Sequence, residues 1–240
     1  MSDSSPRKTF LSISAHIGDG ELTAGPLLAQ MALDGHRVEI LDLTPGERGH
    51  PRLTPEEYKV QKMHEAQFFA DAIGAGFRVF DDLTDGFLGT GDDVCLRVAD
   101  VIRELRPDVV VAHWNNSIHS DHVNASAVAE RGRFLAGLPL ERPNGCTPWG
   151  VGTFLYAENW EDAEGFAPNL YVPISEEAFE RWHRGICEHA FARGETYGFR
   201  YIDYYTALMT VRGALAGGKG FPRAVALATP SGGNEVVTAF

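Results

Sequence analysis

Two apolar runs, Thr9–Ala15 and Val109–Ala112, lead into polar turns rich in histidine and aspartate, and a helix-forming stretch follows each. The second, Val109–Ala112, is apolar throughout, as expected of a parallel strand with helices covering both faces. The turns after such strands gather on one rim of the sheet, where open α/β folds bind ligands. The first turn reads Ser14-Ala15-His16-Ile17-Gly18-Asp19-Gly20-Glu21, and the second ends in His119-Ser120-Asp121-His122. His16 and Asp19, three residues apart, can be aimed by one tight turn at a single cation. A third ligand from the second cluster would leave a divalent ion an open position for water.

The remaining chain keeps this alternation. A helix is predicted over Glu21–Leu33, ended by Gly35, then a strand over Val38–Leu43. A polar rim loop, Thr44–Pro51, follows. Thr54-Pro55-Glu56-Glu57 is a capping box with proline at the first helical position, predicting a helix to about Ile73 with Gly74 or Gly76 as its stop. Further elements are expected at Arg78–Phe80 (strand), Val94–Leu105 (helix) and about Asp121–Ala136 (helix). Strands at Val151–Tyr156 and Leu170–Val172 and helices at Glu176–Ala192 and Ile202–Leu215 complete the reading, with an ambiguous glycine-rich tail after Gly217. The expectation is a flexible segment over residues 1–8 and a single α/β domain over 9–240, mostly parallel in its sheet.

Composition narrows the function. A formal net charge of −12 disfavours nucleic acid and anionic membrane surfaces as partners. No run is long enough to span a bilayer and no leader-like segment opens the chain, so a cytoplasmic location is expected. Cys95, Cys146 and Cys187 are odd in number and widely spaced, which favours reduced thiols over a disulfide frame. The Gly18-x-Gly20 pair lacks the third glycine of a dinucleotide fingerprint, Thr23 standing in its place. Trp114, Tyr156 and Trp160 near loop ends are read first as packing residues, with sugar stacking as the alternative.

The order and spacing of several segments resemble the PIG-L/LmbE-like deacetylases. Ala15-His16-Ile17-Gly18-Asp19-Gly20-Glu21 is similar to that family's Ala-His-Pro-Asp-Asp-x-Glu opening, and His119-Ser120-Asp121-His122 to its His-Pro-Asp-His motif. The Thr44–Gly49 loop, Arg106–Val110, Pro173-Ile174-Ser175 and Arg193-Gly194 also fit. The resemblance implies a Rossmann-like fold and a zinc-dependent amidase, one Zn2+ per chain, acting on an N-acyl amino sugar or related amide, and a homo-oligomer. It implies His16, Asp19 and His122 as metal ligands and His119 as the group that stabilises the oxyanion or protonates the leaving amine. Asp121 is then an orienting carboxylate.

Gly18 departs from the pattern, because it stands where the family has its general-base aspartate. A positioned base is worth about 10²–10⁴ in rate. Glu47 and His50, on the neighbouring rim loop, are the expected substrate-side residues and the candidates to replace it. The alternative is a family member that keeps the metal and the pocket but serves in binding or regulation.

Overall fold

The computed structural model describes residues 6–142, 146–160, 164–217 and 220–230. Strand β1 (Thr9–His16) is followed by α1 (Asp19–Thr23), α2 (Gly25–Leu33), β2 (Arg37–Thr44), α3 (Pro55–Ile73) and β3 (Gly76–Val79). Then come α4 (Asp92–Leu105), β4 (Val109–His113), α5 (Ser120–Gly137), β5 (Thr153–Ala157) and β6 (Leu170–Pro173). Helices α6 (Glu176–Ile186) and α7 (Tyr201–Leu215) and strand β7 (Ala224–Ala228) end the series. The strands form one seven-stranded sheet in the order β3-β2-β1-β4-β5-β7-β6. The first five are mutually parallel, and β7 enters antiparallel between β5 and β6. The fold is α/β, with a mostly parallel sheet and helices on both faces.

Successive residues of β1 serve opposite layers. Phe10 packs with Leu28, Phe69 and Trp182 on one face, while Leu11 and Ile13 pack with Val98, Ile102 and Val128 on the other. Both faces are therefore covered, and Ser12 and Ser14, on the face of Phe10, are buried with the apolar residues. The capping box forms as expected: Thr54 Oγ1 accepts from the Glu57 amide, and the Glu57 carboxylate accepts from the Thr54 amide. Gly74, at a φ of 78°, closes α3 in the left-handed conformation.

Two expectations are corrected, and the stretch left open after Gly217 is resolved. The helix predicted over Glu21–Leu33 is two helices meeting at Ala24, because Pro26 has no N–H to continue the first. The helix predicted to Ala192 ends at Ile186, and turns from Cys187 onward carry His189 and Phe191 inward. The tail after Gly217 contains β7, whose Ala-Val-Ala-Leu-Ala run is buried throughout. The expected flexible segment falls partly on residues 1–5, which lie outside the described residues; at its end the Lys8 amide donates to His36 Nδ1. Among the described residues no helix is long and apolar enough to cross a membrane.

Candidate metal centre

Strand order reverses between β1 and β4, each of which has a parallel neighbour on its other side. Such a switch point opens a crevice at the carboxyl ends of the strands. His16 ends β1 and His113 ends β4, so both imidazoles stand at that crevice. Asp19 opens α1 there, and His119 and His122 lie at the start of α5.

Asp19 is the focus. Its Oδ2 lies 3.0 Å from His16 Nδ1 and 3.2 Å from His122 Nε2, and it accepts the His16 backbone N–H at 3.0 Å. One donor atom from each of His16, Asp19 and His122 falls within 4.8 Å of the others, so the three can hold a metal ion. Tetrahedral coordination at about 2.1 Å separates its ligand atoms by about 3.4 Å, close to the spacing these side chains already have. Burial opposes the charge on Asp19, but His122 and His16 outweigh it and hold the carboxyl well below its ordinary range. Burial likewise opposes a charged His16, and Asp19, Asp121 and Asp85 together raise its pKa well above 6.5.

The second nitrogen of His16 is held from behind. His16 Nε2 is 3.2 Å from Asp121 Oδ2 and 3.1 Å from Asp85 Oδ1. An imidazole that holds a metal is commonly fixed by a carboxylate on its other nitrogen, and His16 has two such carboxylates. Asp121 also accepts the backbone N–H groups of Gly86 and Leu88, which locks the loop after β3 onto α5. The carboxylate of the second cluster thus orients the histidine of the first. A second group, His16, Asp85 and His119, shares His16 and also meets the spacing for a cation.

His119 has a defined polarity. Its Nδ1 accepts the Asp121 backbone N–H at 3.2 Å, so the neutral ring carries its proton on Nε2. Burial, then His122 and His16, lowers its pKa below 6.5, which keeps it neutral at pH 7. His113 Nε2 accepts the Ala15 N–H at 3.1 Å, its ring stacks on His122 at 4.4 Å, and burial lowers its pKa to about 4.

Gly18 has a φ of 106°, a conformation that favours glycine. A Cβ there would fall well inside 3.0 Å of the Phe191 ring edge. The space where the resemblance places a base is filled by an aromatic ring.

Glu47 and His50 stand elsewhere. Glu47 accepts the Asp85 amide at 3.3 Å and lies 3.5 Å from Arg48 Nε, bracing the rim loop against the loop after β3. His50 Nδ1 accepts the amides of Arg52 and Leu53, and the residue lines a separate cavity with His64 and Thr196. Its geometry closes a turn and does not bring it to His16, Asp19 and His122. The central cavity, about 520 Å³, is lined by His16, Asp19, His119 and His122 together with Arg48, Lys62, Asp85, Phe191 and the aromatic residues Trp160, Tyr197, Tyr201 and Tyr205. Tyr156 is core and Trp114 packs on it, so only Trp160 of the three aromatics weighed above reaches the cavity.

Asp85, His113, Lys62 and Phe191 were not singled out from sequence. Lys62 left a signal: it interrupts the buried stripe Tyr58, Ala66, Phe69 and Ile73 of α3 with a charge. Asp85 sits in a loop that follows a strand, and Phe191 gave none, being one apolar residue in a helical pattern.

The family model for PIG-L, GlcNAc-PI de-N-acetylase, matches residues 11–131, half of the chain. A 4-oxalmesaconate hydratase of Pseudomonas putida is 24% identical over 219 residues, covering 88% of this chain and 82% of the relative. A 1D-myo-inositol 2-acetamido-2-deoxy-alpha-D-glucopyranoside deacetylase of Streptomyces avermitilis is 26% identical over 220 residues, covering 78% and 70%. The crystal structure of a conserved protein from Thermus thermophilus superposes with a TM-score of 0.79 at 28% identity, covering 98% of this chain and all of that one. With both histidine clusters meeting at the switch point and the family model spanning the first of them and the second, the chain belongs to the PIG-L family of de-N-acetylase-like proteins.

Proposed function

We propose that this protein is a metal-dependent enzyme that adds water to a small polar molecule, with hydrolysis of an N-acyl amino sugar or related amide as the first reading. The observation that carries it is the convergence of His16, Asp19 and His122 beside the Nε2–H of His119 on one cavity. His16, Asp19 and His122 would hold the ion, zinc suiting two imidazoles and a carboxylate. Such an ion acidifies a bound water and polarises a carbonyl. His119 then has one function its tautomer allows: Nε2–H donates to the oxygen that becomes negative as the tetrahedral centre forms. Asp121 and Asp85 keep His16 turned toward Asp19. Trp160, Tyr197 and Tyr201 give the cavity flat walls on which a sugar ring can lie.

Position 18 itself carries no carboxylate to take a proton from the water, and the buried Glu21, whose carboxylate accepts the Gly18 N–H at 2.8 Å, does not line the cavity. Amide hydrolysis is therefore expected to run about 10²–10⁴ slower than with a positioned base. This supports a second reading within the same chemistry, addition of water to an activated double bond, as in the Pseudomonas relative named as a hydratase. The test loads purified protein with Zn2+, Mn2+ or Mg2+ and follows amine release from an N-acetylglucosamine conjugate alongside hydration of an unsaturated carboxylic acid. Metal-dependent turnover of the first supports the first reading, and turnover of the second alone supports the other. Bound metal with neither activity returns the chain to a binding role, and a chain that binds no divalent ion overturns the proposal.

A further inference from the structure

Lys62 sits in the middle of α3 and is only 5% exposed. Its Nζ donates to the backbone carbonyl of Ile17, next to Gly18, and stands 4.5 Å above the Phe191 ring and 5.5 Å from the Tyr58 ring. Among the described residues no carboxylate oxygen lies within 4.0 Å of it. An ammonium has three donors, and one is used. Glu21, Asp42 and Asp85 feel its charge through space, but a buried ammonium that no carboxylate touches still gains from a ligand that would. Lys62 nevertheless faces the metal cavity. Gly46 keeps that approach open, because a Cβ there would lie 3.2 Å from Nζ and 2.9 Å from His16 Cβ.

A second cation stands on the same rim. The Arg48 side chain is 54% exposed, its backbone N–H is fixed on Asp85 Oδ2 at 2.9 Å, and its guanidinium lies over Phe87 at 5.5 Å. Glu47 Oε1 lies 3.5 Å from Arg48 Nε and Glu21 accepts the Gly18 N–H at 2.8 Å, but neither carboxylate comes within 4.0 Å of Lys62 Nζ. Asp19 is turned to His16, His113 and His122, and Asp85 to His16 and the Arg48 amide. Lys62 thus keeps donors free toward the cavity although carboxylates lie on both sides of it.

We propose that Lys62 and Arg48 form a carboxylate-binding subsite, and that the substrate carries an acid group on the part that faces Gly18 and the rim loop. One buried ammonium with two unused donors matches a singly charged, two-oxygen anion, and a guanidinium fork at the mouth can share it. The subsite also gives the missing base a context, since a carboxylate at position 18 would lie close to Lys62 and compete with the substrate's own. This inference rests on reading the cavity as a substrate site.

The experiment titrates the full chain, metal-free and zinc-loaded, with succinate and with its neutral isostere succinamide, by calorimetry and tryptophan fluorescence. Succinate should bind the metal-free chain in preference to succinamide. Lys62→Met should weaken succinate by about thirtyfold or more, the lower end of what losing one partner of a buried charge pair costs, and Lys62→Arg should keep part of the affinity. Arg48→Met, at a half-exposed position, carries the same test if Lys62→Met fails to fold. Equal succinate affinity in wild type and both Met variants overturns the subsite, as does equal binding of succinamide. Inorganic phosphate binding more tightly than succinate overturns the carboxylate assignment. Metal content and turnover are read separately, so loss of the enzymatic reading leaves anion binding by the metal-free chain as an independent result.

Discussion

Each histidine of the centre is committed by a different partner, and substitutions should separate their roles. His16→Ala or His122→Ala removes a ring that converges on Asp19, and divalent metal content measured by elemental analysis should fall from about one ion per chain to background. His119→Ala removes a donor that touches neither Asp19 nor the backbone carbonyls, so metal content should stay while turnover drops about 10²-fold or more. Parallel loss of metal and turnover in His119→Ala would instead make it a ligand, through the group it forms with His16 and Asp85. Position 18 behaves differently from what the resemblance alone implies. Restoring an aspartate there forces an L-residue to a φ of 106° and drives its Cβ into Phe191. Gly18→Asp alone should therefore lower the melting temperature and give no gain in deacetylation. The double variant Gly18→Asp with Phe191→Ala should be the more active of the two. A single variant as stable as wild type, with raised activity, would show that Phe191 yields freely.

At the scale of elements, the site depends on helices held at fixed heights above the sheet. Helices α4 and α5 cover the face below the second histidine cluster, and Gly132 of α5 lies against Val98 of α4. A Cβ at 132 would come to 2.5 Å from Val98 Cγ1 and 3.3 Å from the Cys95 carbonyl. Alanine gains about 1 kcal/mol in helix propensity, but overpacking a close crossing costs about 1–3 kcal/mol. Gly132→Ala should thus be destabilising by about 1 kcal/mol net, read as a shift of the urea midpoint at constant slope. An unchanged midpoint would mean the two helices separate without cost. On the opposite face, Trp182 of α6 donates its indole N–H to the Glu21 carbonyl at 2.8 Å, tying the late helix to the turn that carries Asp19.

The molecule as a whole carries buried titratable groups whose protons are linked to folding. His189 is fully buried, and burial, with Lys62 and Arg193 adding to it, lowers its pKa to about 3. Glu65 Oε2, at 3.7 Å, is too distant to hydrogen bond and restore the charge. The unfolded chain binds a proton at this residue below about 6.5, and the folded one does not until about 3. Stability from His189 is therefore complete above pH 6.5 and drains as the pH falls toward 3, by up to about 1.4 kcal/mol per pH unit. His189→Leu should make the fall in stability over that window shallower by about one proton, measured by denaturant titration at several pH values. Equal slopes in the two proteins would show that the buried imidazole is protonated in the fold.

Local chemistry determines much of this protein without reference to its packing. The uninterrupted apolar run of β4 requires two helical layers, Thr54-Pro55-Glu56-Glu57 starts α3 by its own hydrogen bonds, and the histidines and aspartates at the end of β1 and the start of α5 belong on one rim. What lay beyond the sequence depended on contacts between distant segments. The end of α6 at Ile186 brings Phe191 over Gly18, the reversal of β7 inserts it between β5 and β6, and the loop after β3 delivers Asp85 to His16. His50 looked available because it follows a strand, and two backbone amides claim its ring. Short-range patterns fix elements and rims because those energies act within a few residues. Which side chain fills a given space at the rim is decided by close packing across the whole fold, and that information exists only once the chain has closed on itself.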